Sequence, residues 1–143
     1  MRDENSFGAF IRGKRLELEQ PISLRKMAEL LSISPVYMSN LEVGRDTAPK
    51  KEILESLAQL LKLNKEEQEL MYDLAAESKN YKHETAIPGD LPDYIATHEY
   101  AKIALRVAKD VDATDDEWME FIEKLKKRSK NKEKEDEPLQ TSQ

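Results

Sequence analysis

The chain has 143 residues, enough for one ordinary domain or for a small domain with an appendage. Apolar residues make up 38% and charged residues 36%, so part of the chain is expected outside any core, and the absence of cysteine excludes disulfides and thiolate metal sites. Net charge is −6, but residues 1–62 carry ten Lys or Arg against nine Asp or Glu while residues 63–143 carry thirteen against twenty, so the acid lies downstream and the N-terminal part is close to neutral.

No apolar run approaches the roughly 20 residues of a membrane span. The opening Met1-Arg2-Asp3-Glu4-Asn5 is too acidic for a signal peptide. A cytoplasmic location is the expectation. Few segments alternate apolar and polar residues as strands do, and four Gly and six Pro leave room for long helices, so the fold is expected to be all-α.

Phe7, Phe10, Ile11 and Leu18 form a helical stripe with Ser6 as N-cap, broken by Pro21. Ser23 caps a second helix, about 24–31, with Leu24, Met27, Ala28 and Leu31 on its apolar face. Ser34 is a good N-cap and Pro35 sits where its missing N–H costs nothing, so a third helix is expected from Pro35 to Val43, ended by Gly44 in the left-handed conformation. Two helices of about two turns separated by three or four residues fit a helix-turn-helix.

Pro49 opens a fourth helix through Lys62, with Ile53, Leu57, Leu60 and Leu61 inward. Asn64 caps a fifth, about 65–77, with Leu70, Met71, Leu74 and Ala75 inward and acids in its first turn. Residues 78–90 lack a period, contain Pro88-Gly89 and read as a linker. Residues 91–111 are helical, in one or two pieces, with Ile103, Val107 and Val111 in register. Thr114 and Glu117 make a capping-box pattern for a helix to about Arg128, whose apolar face is Trp118, Phe121, Ile122 and Leu125. Residues 129–143, charged and without an apolar period, are expected to be disordered. The expected organisation is thus a domain over 1–77, a linker over 78–90, a helical dimerisation or partner-binding segment over 91–128 and a tail.

If Met38 and Leu41 face the core, the third helix exposes Pro35, Val36, Ser39 and Asn40. The major groove of B-DNA admits one α-helix, read by side chains near its N-terminus. Asn40 suits a bidentate contact to adenine and Val36 an apolar contact to a thymine methyl, with Pro35 beside them. Ser34 and Ser39 suit phosphate or base edges, and Tyr37 either the DNA backbone or packing.

Residues 7–63 resemble the Cro- and XRE-type phage-repressor helix-turn-helix family. The resemblance rests on Phe7-Gly8, Ile11-Arg12, Arg15, Met27-Ala28, Ile33-Ser34-Pro35, Ser39, Leu41-Glu42, Gly44-Arg45, Pro49 and Leu57-Ala58. It implies a five-helix lambda-repressor-like domain, phosphate contacts from Arg45 and Lys50, with Arg25 as a further candidate, and a buried structural ion pair between Arg15 and Glu42. Two positions depart from the pattern. Ser32 stands where the family usually has Gly in the turn, and Leu24 where many members carry a phosphate-contacting Gln.

No catalytic reading emerges. His83 and His98 are the only histidines, His98-Glu99 lacks a second His at metalloprotease spacing, and there is no phosphate-binding Gly-rich loop. No enzyme activity, cofactor or metal is expected. The leading expectation is a dimeric transcriptional repressor on an inverted-repeat operator in double-stranded DNA. The alternative is an antitoxin that neutralises a toxin protein and represses its own operon. A degenerate helix-turn-helix used only for protein contacts is disfavoured by Ser34, Asn40 and Arg45. Residues 91–128 are left open between dimerisation, effector sensing and toxin binding, with Trp118, Phe121, Ile122 and Leu125 as the expected interface.

Overall fold

A computed structural model describes residues 6–80 and 86–136, and among these the chain is all-α: eight helices and no strand. They are α1 (Phe7–Glu17), α2 (Leu24–Leu30), α3 (Pro35–Val43), α4 (Lys51–Leu60), α5 (Lys65–Asn80), α6 (Pro92–Thr97), α7 (Glu99–Val111) and α8 (Asp115–Asp136). The chain divides into two compact units, with the boundary in sequence between Thr97 and His98. No helix among the described residues is long and apolar enough to cross a membrane.

In the first unit α3 packs against both α1 and α2, and α1 also packs against α5. The interior joins Phe7 and Ile11 of α1, Met27 and Ala28 of α2, Met38 of α3, Leu54 and Leu57 of α4, and Met71 and Leu74 of α5. These are the positions that a 3.6-residue period brings to one side of each helix. The approach of α1 to α3 is close enough to need a glycine: a Cβ on Gly8 would lie 2.4 Å from the carbonyl oxygens of both Leu41 and Glu42. Lys14 of α1 pairs with Glu67 of α5. The Asn64 N–H and then Lys14 hold the Glu67 carboxyl below its ordinary range.

Local chemistry sets the helix ends. The hydroxyls of Ser6, Ser23 and Ser34 accept from the N–H groups of Ala9, Lys26 and Tyr37, and Asn64 and Glu67 cap each other reciprocally. At their other ends α2, α4 and α7 share one device. Ile33, Leu63 and Ala113 donate back to the carbonyls of Ala28, Ala58 and Ala108, across Ser32, Lys62 and Asp112 held at φ of 57°, 54° and 54°.

Several boundaries differ from the sequence expectations. α4 begins at Lys51, because Pro49 is buried before it and Lys50 occupies the N-cap position. Leu70 faces outward at 47% exposure, since the interior side of α5 is already set by Met71, Leu74 and Ala75. α5 runs on through Ser78 to Asn80, into the stretch expected to be linker. Residues 81–85 of that linker lie outside the described residues. Leu91 onward divides into α6, which belongs to the first unit and is tied to α4 by Lys51–Asp93, and α7, which belongs to the second. Residues 129–136, expected to be disordered, continue α8. They lack an apolar period but are rich in Lys and Glu, good helix formers, with no Gly or Pro to stop them. The remainder of the expected tail, 137–143, lies outside the described residues.

Candidate nucleic-acid interface

α2 and α3 are separated by Leu31, Ser32, Ile33 and Ser34. Leu31 is buried and Ile33 packs partly against the core, while Ser32 carries the left-handed backbone that turns the chain. The turn is thus anchored by alternate side chains, and α3 leaves it in a fixed direction. Met38, Leu41 and Glu42 point inward.

The opposite side of α3 faces water. Pro35 is exposed, Val36 is 71% exposed, and Ser39 and Asn40, three and four residues on, are part-exposed on the same side. The Ser34 hydroxyl accepts from the Tyr37 N–H at 3.0 Å, which leaves its own hydrogen available for donation outward. Tyr37 is half-buried, and burial, followed by the charge of Asp46, raises its phenol above the ordinary range, so it remains neutral. The side of α3 therefore offers hydroxyls, one carboxamide and a small apolar side chain, and no charge of its own.

Exposed cations occur on the segments before and after it in the chain. Arg25, beside the N-terminus of α2, is exposed, as are Arg45, directly after the Gly44 C-cap, and Lys50, ahead of α4. Gly44 adopts φ 83°, and the carbonyl of Asn40 accepts from the N–H groups of Gly44, Arg45 and Asp46. Arg45 is thereby held against the end of α3. Lys51 is already engaged by Asp93, whose hydrogen bond raises its pKa.

The segment joining α3 to α4, which carries both Arg45 and Lys50, is pinned from beneath. Ala48 and Pro49 are buried, and the Ala48 N–H donates at 3.0 Å to the hydroxyl of Ser78, which itself donates to the Ala75 carbonyl at 2.7 Å. Sequence reasoning missed Ser78 by placing it in a linker. The available signal was its spacing of three and four residues from Ala75 and Leu74, which keeps it on the inner side of α5.

Arg15 and Glu42 lie within the packed interior at 6% and 4% exposure and not at the surface. In the second unit Trp118 is half-buried, while Phe121, Ile122 and Leu125 are exposed. No group of three or more His, Asp or Glu among the described residues is arranged to hold a metal ion. Compared with known proteins, the chain matches no family model, no curated protein and no solved structure.

Proposed function

We propose that α1 to α5 of the first unit make up a five-helix, lambda-repressor-like helix-turn-helix domain and that the chain is a sequence-specific regulator of transcription, binding double-stranded DNA as a homodimer in the cytoplasm. α2 and α3 are the two motif helices, and α3 is the helix that enters the major groove. The observation that carries this reading is the makeup of one exposed surface. Val36, Ser39 and Asn40 share the open side of α3, and Arg25, Arg45 and Lys50, on the segments before and after it in the chain, are exposed. Uncharged side chains able to read base edges, bordered by cations able to hold phosphates, are what a groove-reading helix requires.

The division of labour follows from chemistry. Asn40 pairs with adenine through its carboxamide, and Val36 and Pro35 give apolar contact to a thymine methyl. Ser34, Tyr37 and Ser39 bond along the DNA backbone, and Arg25, Arg45 and Lys50 neutralise phosphates. A single module of this kind buries only about 600–1,000 Å² on DNA, and a two-fold pair on a palindromic site doubles it. Repression follows from occupancy of a promoter.

Selection of bound duplexes from a random pool tests the reading. The expected product is an inverted repeat whose half-sites lie about 10 base pairs apart, or a multiple of that. A pool that shows no enrichment after repeated rounds overturns it.

A further inference from the structure

The second unit is compact but has no interior among its described residues. From His98 to Glu133 no residue is buried, although α7 and α8 are both amphipathic. Trp118, Phe121, Ile122 and Leu125 recur at helical spacing along α8 and remain 41–51% exposed apart from half-buried Trp118, whose ring meets that of Phe121 edge-on at 6.4 Å. Ala104, Val107, Ala108 and Val111 of α7 line an open groove of about 390 Å³ beside Trp118 and Phe121. A segment of this length is below what usually closes a core alone, and oligomerisation is the common remedy.

The charges on α8 identify the occupant. Residues 115–123 carry five acids and no base, and residues 124–132 carry six bases and no acid. The helix dipole accounts for acids in the first turn. It does not account for the bases, which lie in the middle of a 22-residue helix, more than a turn before its end. At 100° per residue, Asp115 and Lys126 fall along one border of the apolar stripe and Glu117 and Arg128 along the other. Each border therefore runs from acid to base.

We infer that the stripe on α8 is covered by a second copy of this chain, with the two α8 helices antiparallel about a two-fold axis between Phe121 and Ile122. That register sets Trp118 against the partner's Leu125 and Phe121 against the partner's Ile122. Along both borders acid meets base: Asp115 faces the partner's Lys126, and Glu117 the partner's Arg128. A parallel pair places like charges opposite each other along the whole contact. The inference specifies the dimer assumed above, and its test contains no DNA, so it stands or falls separately from the DNA reading.

The chain has no cysteine, so engineered thiols report without background. Asp115→Cys and Lys126→Cys are made singly in the full chain, then co-expressed, one copy lengthened by a tag, and oxidised mildly. In the antiparallel register the two copies of residue 115 are about 20 Å apart along the axis and those of residue 126 about 14 Å, by the helical rise. Both separations are beyond disulfide reach, while 115 and the partner's 126 differ in height by about 3 Å. The expected result is a disulfide-linked heterodimer from the co-expressed pair and little or no linked product from either variant alone. Self-linkage of each single variant brings like residues side by side, which this register forbids, and overturns the inference. Absence of linkage in every sample also overturns it, and sedimentation of the untreated full chain then separates a monomer, with the stripe covered intramolecularly, from a dimer made elsewhere.

Discussion

Arg15 and Glu42 form a bidentate ion pair inside the first unit, joining α1 to α3 across 27 residues of sequence. The Arg15 Nε donates to Glu42 Oε2 and one terminal nitrogen to Oε1, both at 2.9 Å, and the other terminal nitrogen donates to the Ile22 carbonyl at 2.8 Å. Three fixed donors thus tie α1, the α1–α2 connection and α3 together. Gly8 stands beside the same joint, against the Glu42 carbonyl.

Removing one partner strands a buried charge. Glu42→Ala is expected to destabilise the first unit by about 3–5 kcal/mol, with a matching loss from Arg15→Ala. Urea unfolding of each variant checks this. Loss of less than about 1 kcal/mol contradicts the pairing as the joint between α1 and α3.

Ser32 gives a prediction of the opposite sign. Its φ of 57° is a conformation that glycine adopts without the Cβ penalty, and its side chain is exposed. Ser32→Gly is expected to stabilise the unit by up to about 1 kcal/mol, a rise in Tm of a few degrees. A fall in Tm means that the serine makes an interaction worth more than the backbone strain.

The helix ends and most of the core were legible because they are local. Ser23, Ser34 and Gly44 act on groups within a few residues, and the 3.6-residue period selects Met27, Met38, Leu57 and Met71 without knowledge of the fold. Links between distant segments were not. Arg15–Glu42 was expected only through a family resemblance, and Lys51–Asp93 and Ala48–Ser78 had no local trace. Residues 129–136 were misread because lack of an apolar stripe was taken for lack of structure, whereas a helix of Lys and Glu persists without burial. On α3 the inward residues were identifiable from spacing, and with them the outward Val36, Ser39 and Asn40.

Ser78 positions Arg45 and Lys50 from beneath. Ser78→Ala leaves the Ala48 N–H without its acceptor, at a cost of about 1–3 kcal/mol. It is also expected to weaken DNA binding although Ser78 is not among the residues assigned to DNA, and Ser78→Thr, which keeps the hydroxyl, is expected to restore most of the affinity. Gel shifts beside unfolding curves separate the two effects. Affinity unchanged in Ser78→Ala contradicts a positioning role.

Arg45, exposed after the Gly44 turn, is assigned to phosphate. Arg45→Ala is expected to weaken binding to all duplexes alike and to reduce the slope of log K against log salt by about 0.9, one counterion's worth. A titration in salt checks it. An unchanged slope places Arg45 away from the DNA backbone.

Asn40 is the residue through which the exposed side of α3 is expected to read base pairs. Binding of the parent chain and of Asn40→Ala is measured on the selected duplex and on a panel carrying every single-base change in one half-site. The parent is expected to discriminate at one adenine-containing pair by about 1–3 kcal/mol, and Asn40→Ala to lose discrimination at that pair while keeping it elsewhere. Equal weakening on every duplex, with the pattern of discrimination intact, contradicts it.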